Sequence, residues 1–229
     1  AICARGEDSL AQAAEEIEDA TGSDVLAVPA DLTDPDAADR LVATTLDAFG
    51  RLDILFLNAG GPPPGGFLDF RPADWERITE LTLLSAVRLC YAAAPLMKEQ
   101  GSGSILASTS ITVKQPLPNL VLSNSLRLGV VGLIKTLADE LGPFGVRANA
   151  ICPGWTRTDR VQQLPEDRAQ RNGTTIEEEA AKVAANVPLG RIGTPEEFAA
   201  VAAFLVSDAA SYINGVSLLV DGGMARAVT

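Results

Sequence analysis

The chain has 229 residues, of which 47% are hydrophobic and 21% charged, and its formal net charge is -12. That length suits one α/β domain with a sizeable core, and the acidic balance argues against nucleic acid or an anionic membrane surface as a partner. The sequence contains no histidine, which excludes a histidine-based triad and a histidine-ligated metal. No apolar run reaches the roughly 18 residues of a membrane span. Three scattered cysteines, Cys3, Cys90 and Cys152, favour a reducing cytoplasm.

The hydrophobic pattern predicts strands that alternate with helices along the chain. Helices are predicted over 9–20, from 34 to about 50, over most of 72–100, over 124–141, after Thr174 and from 195 to 208. Strands are predicted over 1–4, 24–30, 53–57, 105–109, 146–151 and 216–220. Because each strand is mostly apolar, we expect a parallel sheet covered by helices on both faces. The prediction is a single, three-layer, doubly wound domain of Rossmann type over 1–229, with its ligand beyond the carboxyl ends of the strands.

Three polar residues are predicted to meet at the end of one buried strand. Ser110 directly follows the apolar run that ends in Ala107-Ser108-Thr109, and a long amphipathic helix comes next. Ser123 and Arg127 lie four residues apart on that helix, so they share one of its faces. Both side chains are therefore expected to point into the same cleft as Ser110.

With these residues in place, the chain resembles the short-chain dehydrogenase/reductase family, close to its 3-oxoacyl-carrier-protein reductase branch. The resemblance rests on RLDILFLNAGG at 51–61, GLIKTLADELGPFGVRANAICPGW at 132–155 and VDGG at 220–223. Family members have a serine, a tyrosine thirteen residues later, and a lysine four residues after the tyrosine. Here Ser110 matches the serine, Ser123 stands at the tyrosine position and Arg127 at the lysine position. The resemblance therefore implies the fold and the cofactor, with the catalytic pair replaced.

The replaced pair changes the chemistry that the resemblance implies. In the family, the tyrosine transfers the alcohol proton, while the lysine lowers the pKa of the tyrosine and holds the nicotinamide ribose. Ser123 is a poor proton donor compared with a phenol, whereas Arg127 keeps the positive charge and can bond the ribose hydroxyls. Ser110 is expected to bond a substrate carbonyl; the alternative is a buried structural hydroxyl. We hypothesise that Lys114 or a bound water replaces the phenol; the alternative for Lys114 is a solvated loop residue. Tyr91 lies elsewhere in the chain and is expected in the core.

The ends of the first two strands carry the residues that the resemblance assigns to the adenosine end of a cofactor. Relatives that prefer NAD have an acidic residue after the first of these strands, where this chain has Ala4 followed by Arg5. Arg5 therefore indicates recognition of a 2′-phosphate and so NADP, with NAD possible; a surface arginine is the alternative. Asp31 and Leu32 match the adenine contact of the family, although Asp31 also fits a simple loop acid.

Two further motifs are assigned through the resemblance. Asn58-Ala59-Gly60 matches the turn that family members place against the adenosine ribose and the central sheet. Thr82 stands where the family usually has an asparagine that holds a helix kink and a water in a proton relay. Threonine has no amide, so this relay is in doubt, and the alternative is a helix threonine bonded to its own backbone.

The last part of the chain is predicted to complete the site and to cover it. Pro153 and Gly154 match a turn that contacts the nicotinamide carboxamide, and Thr156 and Thr158 are the candidates for phosphate contacts. Residues from about 155 to 190 resemble the variable substrate lid of the family. Wide apolar faces on the helices at 124–141 and 195–208 point to a homotetramer or homodimer, as the family forms.

The resemblance also implies a first strand and a glycine-rich turn that hold the cofactor pyrophosphate, and these are absent from the 229 residues. We expect the natural protein to carry such a unit of roughly 30 residues before residue 1. The leading interpretation is an NAD(P)-dependent oxidoreductase that acts on a small carbonyl or alcohol substrate with altered acid–base residues. The alternative is a catalytically silent nucleotide-binding protein with a regulatory or structural role.

Overall fold

The computed structural model describes residues 1–158, 169 and 173–227, and in them strands and helices alternate. The strands are β1 Ile2–Ala4, β2 Ala27–Pro29, β3 Ile54–Leu57, β4 Gly103–Ser108, β5 Val146–Pro153 and β6 Ser217–Val220. The helices are α1 Glu7–Thr21, α2 Ala37–Phe49, α3 Pro72–Thr79, α4 Ser85–Gln100, α5 Val121–Leu141, α6 Ile176–Ala185 and α7 Pro195–Val206. This order confirms the predicted alternation, although the strand expected over 24–30 is shorter.

All of the described strand pairs are parallel, as predicted. β1 pairs with β2, and a second sheet has the order β3-β4-β5-β6. One edge of β1 and one edge of β3 therefore have no partner strand among the described residues. Ile54 and Phe56 of β3 are both exposed. The additional central strand that the resemblance implies stays a prediction.

The core lies on both faces of β4 and β5, because successive side chains of a strand point to opposite faces. Ile105 and Ala107 of β4 belong to a buried cluster that includes Leu89 of α4 and Ile134 of α5. Leu106, between them, belongs to a second cluster with Ile151 of β5 and Leu205 of α7. Helices thus cover both faces, which confirms the three-layer prediction.

Local sequence signals set the start of α7. The Thr194 hydroxyl accepts a hydrogen bond from the Glu197 N–H at 3.3 Å, and the Glu197 carboxylate accepts one from the Thr194 N–H at 2.9 Å. This is the capping box that the sequence predicts, with Pro195 at the first helical position. The capping box therefore holds in place the residues just before α7, which lie near the end of β5.

Two long helical stretches correct the expectation that no segment is long and apolar enough to cross a membrane. By length and composition alone, Pro72–Gln100 (mean hydropathy 1.2) and Val121–Phe144 (mean hydropathy 1.3) pass that test. Both stretches contribute side chains to the buried cluster on one face of β4 and β5. An amphipathic helix that covers a sheet satisfies the same criteria, so the two stretches are weak evidence for a membrane span.

Two glycines offer a matched test of how tightly α5 and β5 are joined to the end of α4. Gly145 and Gly50 have nearly equal positive φ, 75° and 73°. A Cβ added to Gly145 would lie 2.3 Å from the Gly101 carbonyl oxygen, whereas a Cβ added to Gly50 would meet nothing within 4 Å. We expect Gly50→Ala to cost about 1 kcal/mol from φ alone, and Gly145→Ala to cost roughly 2 kcal/mol more. Urea unfolding of both variants measures the difference, and equal losses contradict the close backbone contact.

Candidate active site

The carboxyl ends of β3, β4 and β5 lie side by side, so the loops that follow these strands meet at one edge of the sheet. The turn Asn58-Ala59-Gly60 follows β3, Ser110 follows β4 by two residues, and Gly154 follows β5 directly. In a doubly wound sheet, this edge is where ligands bind. The candidate residues from three distant parts of the sequence are therefore brought to one crevice.

Ser110 forms the start of a short 3₁₀ turn at Ile111–Val113. Its side-chain oxygen accepts a hydrogen bond from the Thr112 N–H at 3.1 Å, which caps that turn. The Ser110 side chain is half-buried, and its backbone is extended with φ of -168°. Because the cap uses only an acceptor position, the hydroxyl of Ser110 keeps its own O–H for another partner.

Thr112 links Ser110 to Ser123, and sequence reasoning did not identify it. The hydroxyl oxygens of Thr112 and Ser123 lie 3.1 Å apart, and these residues are only 2% and 8% exposed. The Ser123 side chain therefore bonds towards the 3₁₀ turn. The sequence signal that could have identified Thr112 is its position, since it is a hydroxyl residue two positions after a serine that can cap a turn. The geometry gives Ser123 a structural partner in the loop that carries Ser110.

Arg127 reaches back from α5 to the end of β4. One terminal nitrogen of its guanidinium donates a hydrogen bond to the Ser108 carbonyl at 3.0 Å. Arg127 also lines a cavity of about 20 Å³, large enough for one water molecule. The same cavity brings together the predicted residues Leu32, Asn58 and Ala59, and its full lining is Leu32, Leu57, Asn58, Ala59, Thr82, Ser85, Ala86, Leu89, Ser108, Arg127 and Val130.

Thr82 lies in a π-helical turn, Glu80–Leu84, which joins α3 to α4. It is 3% exposed, and its hydroxyl has no hydrogen-bond partner within the described ranges. The alternative of a threonine bonded to its own backbone is therefore wrong. The neighbouring residues Thr79 and Ser85 do bond in that way, to Trp75 and Leu81. π-turns occur often at functional sites, and this one places the Thr82 hydroxyl at the small cavity beside Arg127.

Lys114 ends the 3₁₀ turn that Ser110 begins, and its side chain is half-buried. Behind the turn lies the buried thiol of Cys152, whose sulfur is 3.1 Å from the Thr109 hydroxyl. Burial raises the pKa of Cys152, and the hydrogen bond from Thr109 and the positive charges of Lys114 and Arg127 oppose that shift. The charges of both residues therefore affect the buried thiol at the end of β5.

The predicted adenosine-end residues lie at the ends of β1 and β2. The Asp31 carboxylate accepts hydrogen bonds from the Thr33 N–H at 2.9 Å and the Thr33 hydroxyl at 2.8 Å. These bonds, with a smaller contribution from the charge of Arg5, lower the pKa of Asp31. Arg5 itself is exposed. Because β1 pairs with β2, an exposed cation and a fixed carboxylate stand at neighbouring strand ends.

The turn after β5 is packed against the end of β6. The Gly154 N–H donates to the Val220 carbonyl at 3.0 Å, and a Cβ at Gly154 would lie 2.7 Å from the Cβ of Asp221. Thr156 forms an isolated parallel bridge with Gly193, while Thr158 is exposed. A second cavity, of about 580 Å³, lies here between the Trp155-Thr156 turn and the segments 188–198 and 219–223. Of the predicted lid over 155–190, residues 159–168 and 170–172 lie outside the described residues.

Comparison with known proteins identifies the fold and the family. A family model described as enoyl-(acyl carrier protein) reductase matches residues 1–225. The chain belongs to the short-chain dehydrogenase/reductase family. It is 38% identical over 212 residues to the L-rhamnose 1-dehydrogenase (NAD(P)(+)) of Azotobacter vinelandii, a match that covers 92% of this chain and 79% of that protein. It is 35% identical over 206 residues to the 3-oxoacyl-[acyl-carrier-protein] reductase of Synechocystis, with 90% and 78% covered, which supports the predicted branch.

A solved structure agrees with the sequence comparisons. The L-sorbose reductase of Gluconobacter frateurii, complexed with NADPH and L-sorbose, superposes with a TM-score of 0.94 at 32% identity. The superposition covers 99% of this chain and 86% of that one. The short-chain dehydrogenase/reductase therefore has the Rossmann-type architecture that its sequence predicts.

The link between Thr112 and Ser123 is open to a double-mutant test. Removing one hydroxyl leaves the other buried and unpaired, so we expect Ser123→Ala and Thr112→Val each to lower the free energy of unfolding by about 1–2 kcal/mol. We expect the double variant to be more stable than the sum of the two losses implies, by roughly 1 kcal/mol. Urea unfolding gives all four values, and strictly additive losses contradict the hydrogen bond.

Proposed function

We propose that this short-chain dehydrogenase/reductase is an NADP-dependent oxidoreductase that transfers hydride between nicotinamide and a carbonyl or alcohol substrate, with acid–base residues unlike those of its family. The observation that carries this proposal is the convergence of Ser110 and Arg127 at the carboxyl end of β4. Ser110 keeps a hydroxyl donor for a substrate oxygen, and Arg127 is fixed on the Ser108 carbonyl. A neutral donor and a fixed cation beside each other suit a polar substrate and a ribose.

The described residues fit the two nucleoside ends of a nicotinamide dinucleotide. Arg5, Asp31 and Leu32 would hold the adenosine end, where an arginine suits a 2′-phosphate. Open space over Gly60 allows close approach of a ligand to the turn Asn58-Ala59-Gly60. The other residues proposed for the cofactor are Arg127 for the nicotinamide ribose, Pro153 and Gly154 for the carboxamide, and Thr156 and Thr158 for the phosphates. When bound, the cofactor supplies the hydride acceptor or donor.

The start of helix α1 does not suit the cofactor pyrophosphate. The helix α1, which follows β1, begins with Glu7 and Asp8, and these carboxylates would repel a phosphate. Two relatives support the choice of cofactor: one is named for NAD(P)(+), and the other is complexed with NADPH. NADP is therefore proposed first, with NAD possible.

The proton source must differ from the tyrosine of the family. Ser123 bonds to Thr112, and an aliphatic hydroxyl is a much weaker acid than a phenol. Tyr91 was expected in the core, but it is 78% exposed because its face of α4 points away from the sheet; Tyr212 is also exposed. We propose that Lys114 or a bound water supplies the proton to the substrate oxygen, with Ser110 as the second donor.

A silent nucleotide-binding protein with a regulatory or structural role is the second candidate. The buried Thr112–Ser123 bond favours it, because a structural hydroxyl stands at the position of the catalytic tyrosine. A cofactor titration followed by a screen of carbonyls and alcohols separates the two candidates. Cofactor binding without hydride transfer to any substrate supports the silent protein.

We also propose a homodimer or homotetramer in the cytoplasm. Large apolar side chains remain exposed on the outer faces of the helices that cover the sheet, namely Tyr91, Leu128 and Phe204. Burying such faces against a second copy is the usual reason for closed symmetric assemblies. The three cysteines are free thiols, which supports a reducing compartment.

The role proposed for Arg5 predicts a change in cofactor preference. Loss of its charge removes a charge-assisted contact with a 2′-phosphate, and a new carboxylate can accept from a ribose 2′-hydroxyl. We expect Arg5→Asp to weaken NADPH binding on the order of 10- to 100-fold and to leave NADH binding equal or tighter. Fluorescence titration with both cofactors gives the ratio, and NADH serves as the internal control. Equal weakening of both cofactors contradicts a 2′-phosphate contact.

Restoring the family's pair tests the altered chemistry. We expect the double variant Ser123→Tyr with Arg127→Lys to raise kcat by at least roughly tenfold, because a phenol beside a cation supplies the missing acid. The control is Ser123→Phe with Arg127→Lys, which adds the ring without the hydroxyl. Circular dichroism and cofactor titration establish that both variants fold and bind. If both bind NADPH and the tyrosine variant is no faster than the phenylalanine variant, the missing phenol is not what limits turnover.

A further inference from the structure

Thr82 carries a buried hydroxyl group that has no hydrogen-bond partner among the residues that the structure describes, and it is only 3% exposed. The neighbouring hydroxyl residues on the same helical stretch behave differently. The Thr79 hydroxyl donates to the Trp75 carbonyl at 2.8 Å. The Ser85 hydroxyl donates to the Leu81 carbonyl at 2.5 Å. Because a buried hydroxyl without a partner destabilises the folded state, a partner from the solvent suits Thr82.

The cavity of about 20 Å³ that Thr82 lines has room for one water molecule. A buried water needs roughly two to four polar partners, whereas a purely apolar cavity stays empty. The residues with polar side chains that line this cavity are Asn58, Thr82, Ser85, Ser108 and Arg127. Because Ser85 uses its O–H on a backbone carbonyl, its oxygen keeps the capacity to accept a hydrogen bond. The cavity is therefore polar enough to hold a water.

Close packing ties the π-helical turn that contains Thr82 to α5, the helix that contains Arg127. A Cβ added to Gly129, two residues after Arg127, would lie 3.3 Å from the side chain of Leu83, which directly follows Thr82. The glycine thus lets α5 come close to the turn. Thr82 and Arg127 are therefore held on two elements in contact, with one small cavity that both residues line.

We propose that Thr82 is a positioning residue for Arg127 and acts through one water molecule bound in this cavity. The water accepts hydrogen bonds from the Thr82 hydroxyl and from a guanidinium N–H of Arg127, and it donates to the Ser85 oxygen. These bonds satisfy the buried hydroxyl and add to the bond of Arg127 with the Ser108 carbonyl at 3.0 Å. The inference rests on the proposed function in one respect, namely that Arg127 holds the nicotinamide ribose.

This water holds a side chain in place and carries no proton to the substrate. Arginine does not give up a proton in proteins, so a chain of hydrogen bonds through Arg127 does not resupply a proton donor. The role therefore differs from the proton relay that the resemblance implies for an asparagine at the position of Thr82. Loss of the water is expected to weaken cofactor binding and to leave kcat of the cofactor-saturated protein nearly unchanged.

Thr82→Val tests the water site, because valine keeps the shape of threonine and removes the hydroxyl. We expect a crystal structure of the wild-type protein to show a water within about 3.2 Å of the Thr82 oxygen. We expect the variant to lack this water, to have a less ordered Arg127 guanidinium and to unfold at a lower urea concentration. An empty wild-type cavity overturns the proposal. A higher urea midpoint for Thr82→Val also overturns it, because that is the result when valine replaces a hydroxyl without any partner.

The crystal structures also test the link to Arg127. If the variant loses the water and Arg127 keeps the same position and order, the positioning role is overturned.

Titration with NADPH measures the consequence for the cofactor. We expect Thr82→Val to weaken NADPH binding roughly tenfold and Thr82→Ser, which keeps the hydroxyl, to bind within about threefold of the wild type. Thr79→Val is the matched control, because it removes a helix hydroxyl that bonds to the backbone three residues earlier, and it is expected to bind NADPH as the wild type does.

Unchanged NADPH binding in Thr82→Val overturns the positioning role, and so does a loss of kcat at saturating NADPH without weaker binding, which indicates a proton relay instead. If the wild type binds no NADPH, the proposed function fails, and the crystal structures still decide whether the water links Thr82 to Arg127.

Discussion

The parallel pairing of β4 with β5 is the constraint on which the crevice depends. Six residues of β4, Gly103–Ser108, lie in register with Val146 to Ile151 of β5, and most of these side chains are buried. Because both strands point the same way, Ser110 after β4 and Cys152 at the end of β5 arrive at the same edge. The helix α5 packs on this pair through Ile134 and returns Arg127 to the Ser108 carbonyl. Substrate donor, fixed cation and crevice floor are all positioned by one strand pair.

Hydrogen bonding decides which hydroxyl groups remain available for chemistry. Thr112 uses its N–H to cap against Ser110 and its hydroxyl to bond Ser123, so two candidate residues are held by a third. Ser110 keeps its donor, whereas the oxygen of Ser123 is drawn away into the loop. A serine in place of a phenol therefore changes more than acidity. Its shorter side chain finds a partner that a tyrosine hydroxyl, several ångströms further out, has no means to reach.

Cations lie near the crevice, although the chain as a whole is strongly acidic. The positive charges of Lys114, in the loop after β4, and of Arg127, on α5, both oppose the rise in the pKa of the Cys152 thiol at the end of β5. Elsewhere, exposed arginines are neutralised locally, as Arg191 is by Glu197 and Arg51 by Asp53. An exposed pair of that kind contributes little to stability.

The sequence by itself determined the order of elements, the parallel sheet covered on both faces, and the family. The features that indicate them depend on residues that are close together in the sequence, so they can be recognised without the structure. They are the apolar periodicity, the Thr194 capping box and the contiguous motifs. The sequence also placed Ser110 and Arg127 near each other, because the end of a strand and one face of a helix each determine where their side chains lie. It misplaced Tyr91, since the pattern does not show which face of α4 meets the sheet. Only the tertiary structure decided that Ser123 bonds to Thr112, that Thr82 lies in a π-turn, and that the Arg226 N–H bonds to the Gln115 side chain. These contacts depend on side-chain directions and on segments up to 111 residues apart, which no local pattern specifies.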